Sequence, residues 1–128
     1  MARLRIPAAF VRGGSSKGVV FHARDLPSDP AERDRVLLAV LGSPDPYGRQ
    51  LNGKAAIVAP SGRPDADVDY TFAQVAVDRP VVDYGSNCGN LASAIGPFAV
   101  DEGLVPAGGS EVTVRVFNTN TRKLIHAT

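Results

Sequence analysis

Apolar and polar positions in this chain alternate in short runs far more often than they recur at helical spacing, so most of its elements read as strands. Residues 4–11 are apolar enough for a strand, with Pro7 favouring an edge or a bulge because it lacks a ladder donor. Arg12-Gly13-Gly14-Ser15-Ser16-Lys17-Gly18 then reads as a tight glycine-rich turn, followed by a short strand at 19–21. Residues 54–60 form another apolar run, closed by a turn at 61–64. From there Val68, Tyr70 and Phe72 alternate with Asp67, Asp69 and Thr71, which is the period of a strand with one dry face. The apolar phase slips by one position at Ala73-Gln74, predicting a bulge or burial on both faces. Residues 78–80 turn the chain into an apolar stretch at 81–84. Val112, Val114 and Val116 alternate as a later strand, residues 118–121 turn, and Leu124-Ile125 begin a last one.

Two segments keep a helical pattern. In the first, Asp29 caps, Pro30 takes the first helical position and Glu32 falls three residues after the cap. Val36, Leu37, Val40 and Leu41 share its apolar face, Arg33 and Arg35 lie on its wet side, and Gly42 stops it. A proline-rich turn follows at 43–48. The second helix follows Gly85-Ser86-Asn87-Cys88-Gly89-Asn90 and runs through Leu91-Ala92-Ser93-Ala94-Ile95. It is apolar nearly all round, so it should be buried, and Gly96-Pro97 should kink it or end its regular part. A mostly antiparallel sheet curled around a central helix accounts for a helix with no polar face. The fold class is therefore α+β, with no internal repeat.

Composition narrows the function classes. The 128 residues fit a single domain, and 44% hydrophobic with 21% charged residues is an ordinary globular balance. A net charge of +1 argues against nucleic acid and membrane surfaces as partners, since both need a concentrated basic face. Arg3, Arg5 and Arg12 are interrupted by apolar residues and read as strand decoration. One cysteine cannot close an internal disulfide, so a reducing compartment is the default. With no membrane-length apolar run and no signal-peptide pattern, cytoplasm is the simplest placement.

Cys88 is the leading candidate for chemistry. Placed at the start of the buried helix, it would sit among unpaired N–H groups and the positive end of the macrodipole, which lower a thiol's pKa. The same amides suit a substrate carboxylate, with Gly89 allowing close approach and Asn87 and Asn90 adding neutral hydrogen-bonding groups. The bland alternative is a lone cysteine buried as a small hydrophobe, which its Asn and Gly neighbours argue against. Ser15 and Ser16 offer hydroxyls for a carboxylate, but their loop lacks the Walker order and on its own reads as a hairpin turn. Lys54 opens a strand that turns apolar at once, where desolvation can make a lysine an acid–base group; most such lysines simply reach solvent. Asp65, Asp67 and Asp69 would share a solvated strand face, without the glycine and glutamate of a calcium loop. His22 and His126 have no metal-ligand spacing, and no metal is expected.

Four stretches in order resemble segments of the PrpF family, whose members include 2-methylaconitate cis–trans isomerases and 4-oxalomesaconate tautomerases. They are the Arg12 to Gly18 run, Gly42-Ser43-Pro44-Asp45-Pro46-Tyr47-Gly48, Asp67-Val68-Asp69-Tyr70, and Asn87-Cys88-Gly89-Asn90 through Gly96-Pro97-Phe98. The resemblance implies a diaminopimelate-epimerase-like fold of two lobes, with residues 1–128 as the N-terminal lobe and the second lobe absent from this chain. It implies proton transfer on a small unsaturated polycarboxylate without metal or organic cofactor. Cys88 and Lys54 match the active-site cysteine and lysine, while Ser15, Ser16, Asn87, Gly89 and Asn90 match substrate-carboxylate contacts. A racemase or epimerase of the same fold is one alternative, and a non-catalytic carboxylate-binding half-domain is another. The lobe alone is expected to be inactive, its partners being the substrate and the missing lobe. A homo-oligomer is left open.

Overall fold

A computed structural model describes residues 6–13, 16–41, 53–76, 81–85, 94–106 and 112–127. Its strands are β1 Ala9–Gly13, β2 Ser16–His22, β3 Lys54–Pro60, β4 Val68–Val75, β5 Val82–Asp83, β6 Val114–Asn118 and β7 Lys123–Ala127. Its helices are α1 Pro30–Val40 and α2 Ile95–Asp101, with a 3-10 turn at Ala23–Asp25. All seven strands form one sheet in the order β1-β2-β3-β4-β6-β7, with β5 paired to β4 off that path. The pairs β1–β2, β3–β4, β4–β5 and β6–β7 are antiparallel, while β2–β3 and β4–β6 are parallel. The expected mostly antiparallel sheet is what forms.

The sheet divides two apolar clusters. Ala56 and Val58 of β3, and Val68, Tyr70 and Phe72 of β4, pack with Ile95, Phe98 and Ala99 of α2. Ala55 and Ile57 of β3, and Ala73 and Val75 of β4, face the other way and pack with Leu37 of α1. This two-sided burial explains the phase slip at Ala73. The β3–β4 ladder runs unbroken from Lys54 opposite Gln74 to Pro60 opposite Val68, so burial on both faces, and no bulge, causes it.

Helix α1 starts as its sequence dictates, with the Asp29 carboxylate accepting from the Glu32 N–H. Its apolar face is narrower than expected. Leu37 is fully buried, worth roughly 1.5–3 kcal/mol, but Val40 is 46% exposed. Gly42 lies outside the described residues.

Helix α2 begins at Ile95, so Gly96-Pro97 falls in its first turn, where a proline removes no helical hydrogen bond; residues 86–93, where the sequence pattern starts the buried helix, lie outside the described residues. Ile95, Gly96, Phe98 and Ala99 are buried, whereas Pro97 and Asp101 are exposed, so the helix has a wet edge. After it, Glu102 lies 3.0 Å from Nε2 of the buried His22, whose ring contacts Phe98 at 5.3 Å.

Two further expectations need correcting. The glycine-serine run is largely strand, since Arg12 pairs with Lys17 and Gly13 with Ser16, leaving only 14–15 between the strands. Residues 6–8 precede β1 with no regular structure. Among the described residues, no helix is long and apolar enough to cross a membrane.

Candidate active site

The ends of four strands meet at one end of the sheet. Lys54 opens β3 opposite Gln74, and Gln74 is paired on its other side with Asp83 of β5. Strand β2 runs parallel to β3 with Val19 opposite Ala55, so Ser16, the first residue of β2, belongs to the same end. Lys54 is half-buried and followed by four buried residues, Ala55 to Val58. Gly53 supports it: the Val75 N–H donates to the Gly53 carbonyl at 2.6 Å, holding the end of β4 against the start of β3.

Strand β5 and the two residues after it are fastened from several directions. The Ala76 N–H donates to the Val81 carbonyl at 2.9 Å, and the Gly85 N–H to Asp83 Oδ1 at 2.7 Å. The Tyr84 hydroxyl donates to Asp34 Oδ1 of α1 at 2.5 Å, and the Arg33 guanidinium lies 5.0 Å over the Tyr84 ring. Arg33 is thus half-buried against an aromatic face, where the helical pattern placed it in water. From β6's side, Asn120 Nδ2 donates to the Tyr84 carbonyl.

Burial, then the hydrogen bond to Asp34, pushes the Tyr84 phenol up from its ordinary 10.0 to about 12. The fold therefore favours the neutral phenol. The stability this contributes is complete below the unfolded value of about 10, and is lost as pH rises through about 12. Urea unfolding between pH 9 and 12 is expected to show a decline in stability that Tyr84→Phe flattens. An equal decline in both proteins would refute the assignment.

Of the residues expected at the site, Lys54 and Ser16 are brought to the same end of the sheet. Ser15, at 14–15, and Asn87, Cys88, Gly89 and Asn90, at 86–93, lie outside the described residues. Sequence reasoning missed Gln74, Asp83, Tyr84 and Asn120. For the first three, a change of apolar phase followed by a two-residue strand gave no sign of which neighbours β4 would take. Asn120 sits where asparagine ordinarily means only a turn.

The opposite end of β4 is occupied by ion pairs. Arg63 binds Asp65 through Nε at 2.8 Å and lies 4.2 Å over the Phe117 ring. The Arg115 side chain donates to Asp67 at 2.9 Å, which with the Arg115 backbone N–H holds that carboxyl below its usual range. Asp65, Asp67 and Asp69 therefore do not share a strand face, because β4 begins only at Val68 and the first two bend to meet arginines. Among the described residues, no group of three or more His, Cys, Asp or Glu could hold a metal ion.

Residues 3–128 match the family model described as PrpF protein. The chain is 51% identical to 4-oxalomesaconate tautomerase of Pseudomonas putida, over 97% of this chain and 36% of that protein. It is 48% identical to 3-methylitaconate isomerase of Eubacterium barkeri, over 98% and 35%. It is 46% identical to 2-methyl-aconitate isomerase of Cupriavidus necator, over 96% and 35%. The crystal structure of methylitaconate-delta-isomerase superposes with a TM-score of 0.91 at 47% identity, covering 96% of this chain and 34% of the other. The chain spans about a third of the length of these relatives.

Proposed function

Because this chain belongs to the PrpF family and shares the α+β, diaminopimelate-epimerase-like fold of methylitaconate isomerase, we propose that it forms one wall of an isomerase active site. The reaction shifts a proton on a small unsaturated polycarboxylate. Methylaconitate, methylitaconate and oxalomesaconate, named for the relatives, each carry a carbon–carbon double bond near carboxylates, and isomerising them relocates a hydrogen within an allylic or keto–enol system. The observation that carries the reading is the placement of half-buried Lys54 at the sheet end to which Ser16 and β5 also come.

In the proposed mechanism Lys54 or Cys88 removes a proton from a carbon made acidic by the neighbouring double bond and carboxylate. The electron pair spreads into the conjugated system as a dienolate, and a proton is returned at the far end of that system. Nothing is oxidised or reduced, so the step needs no redox cofactor, and in this proposal the side chains move the proton without metal or organic cofactor. Ser15 and Ser16, with Asn87, Gly89 and Asn90, hold carboxylates and stabilise the developing charge through hydroxyl, amide and backbone N–H groups. The second lobe of the whole protein closes the site, so the 128 residues by themselves give no turnover. The protein works in the cytoplasm on a soluble metabolite.

The whole protein incubated in D2O with 2-methylaconitate, 3-methylitaconate or 4-oxalomesaconate should yield an isomer carrying solvent deuterium, read by mass spectrometry. Absence of isomerisation with all three would overturn the substrate class.

A further inference from the structure

Strand β4 turns one apolar row toward α2: Val68, Tyr70 and Phe72, two residues apart, all belong to the cluster packed on that helix. Ala56 and Val58 of β3 supply the same face beside them. Alternation along a strand sends the next residue of each row to that face too, and these are Gln74 and Lys54. They are direct partners across the β3–β4 ladder, so their side chains stand side by side. Asp83 is the partner of Gln74 on the other flank, and it faces the same way, since Val82 and Tyr84 pack with the opposite cluster. The apolar face therefore ends in a row of three polar residues: an amine, a carboxamide and a carboxyl.

The middle member of the row has no structural task. The backbone of Gln74 is paired on both flanks, with Lys54 and with Asp83, and its chain neighbours Ala73 and Val75 are buried. Its side chain is half-buried, where polar groups ordinarily find partners. Among the described residues, the Gln74 carboxamide has no hydrogen-bond partner. Asn120 shows what a structural carboxamide does in this sheet. Its Oδ1 accepts from the Phe72 N–H at 2.7 Å, and its Nδ2 donates to the Phe72 carbonyl at 2.9 Å. Asp83 is engaged as well, through Oδ1 and the Gly85 N–H. The end of the Gln74 side chain lies toward the start of β3, with Nε2 3.3 Å from the position a Cβ on Gly53 would take. The open carboxamide is thus on the Lys54 flank of β4.

We infer that Gln74 is a substrate-binding residue: its Nε2 donates to a carboxylate of the small polycarboxylate held beside Lys54. The inference rests on the functional reading above for the substrate class, and of the groups named there it uses Lys54 alone. A carboxamide suits the place chemically. It offers two N–H donors and no charge, so it holds a carboxylate whatever the protonation state of the amine next to it. Its position in a strand paired on both sides keeps those donors at a fixed distance from Lys54.

Two substitutions of similar size test this in the whole protein. Gln74→Met keeps the length but removes the donors, and Gln74→Glu keeps the shape but sets an anion against an anion. The probe is propane-1,2,3-tricarboxylate, a saturated tri-acid with no double bond to shift, so calorimetric titration reads binding apart from chemistry. Gln74→Met should bind it about tenfold more weakly, and Gln74→Glu about fivefold more weakly again. Thermal unfolding of both should stay close to that of the unsubstituted protein. The order of the two is the signature. If Gln74 merely filled the sheet end, glutamate would be tolerated there at least as well as methionine, and neither would alter affinity. With a substrate, KM should rise by the same factors, while kcat falls far less than in Lys54→Ala. Gln74→Glu decides alone if Gln74→Met does not fold: a loss of roughly 50-fold is expected, and unchanged affinity overturns the role. Equal affinities in all three proteins would also overturn it, as would a Gln74→Glu that binds as well as Gln74→Met, or an unsubstituted protein that does not bind the tri-acid. A protein that binds the tri-acid and loses binding in the expected order, yet isomerises none of the three unsaturated acids, would sink the proton-transfer reading and leave Gln74 in its place.

Discussion

Lys54→Ala and Cys88→Ala are each expected to lower turnover of the whole protein by roughly 10²–10⁴-fold, the span by which positioned acid–base groups accelerate reactions. Both variants should stay folded. Lys54 joins the sheet through its backbone, opposite Gln74, and is followed by two alanines, so alanine in its place removes little core volume. Groups that pass one proton act as a unit, and the double variant should be little slower than either single one.

Lys54→Arg separates two roles that alanine confounds. Arginine keeps the positive charge but does not give up a proton near neutral pH. If Lys54 transfers the proton, Lys54→Arg should be nearly as slow as Lys54→Ala, with the loss in kcat. If Lys54 only attracts a substrate carboxylate, arginine should retain most of kcat and the change should fall on KM. Near-normal rates in Lys54→Ala and Cys88→Ala would remove both residues from the mechanism.

The strands that could be read from sequence are those whose neighbours lie close along the chain. β3 was legible to the residue, because Gly53 and the Pro60 to Pro64 stretch punctuate an otherwise apolar run. The start of α1 was equally plain, since Asp29, Pro30 and Glu32 act within one turn. The end of the β1–β2 hairpin was harder. Glycine and serine look like loop at 12–18, yet backbone pairing does not need large side chains and carries the strands on to Gly13 and Ser16. Least legible was the site's far wall. The placing of β5 beside β6 on one side of β4 depends on contacts between residues 36 to 50 positions apart, such as Asn120 with Tyr84 and Tyr84 with Asp34, which no local pattern encodes. Of the site itself, Lys54 stood out because a charge opening an apolar strand breaks the hydrophobic pattern. The groups that hold the wall near it are a turn asparagine and a tyrosine in a short apolar run, each ordinary where it stands.

Gly53→Ala is expected to damage both stability and turnover, although it adds a single methyl group at a position with no functional side chain. A Cβ built on Gly53 would lie 2.1 Å from the Val75 carbonyl oxygen and 3.1 Å from its carbon, so the obstruction is backbone and cannot rotate away. Relief requires the end of β4 to move off the start of β3, breaking the bond from the Val75 N–H to the Gly53 carbonyl and shifting Gln74 away from Lys54. Overpacking of this kind costs about 1–3 kcal/mol, and misplacing a reacting group by about 1 Å costs on the order of 10²-fold in rate. Gly62→Ala is the matched control: an exposed glycine whose added Cβ would meet nothing within 4 Å, so the substitution should leave Tm and kcat close to those of the unsubstituted protein. Thermal unfolding and steady-state kinetics of the two variants decide the matter. If Gly53→Ala matched Gly62→Ala in both measurements, the close seating of β4 on the start of β3 would not be what places Lys54.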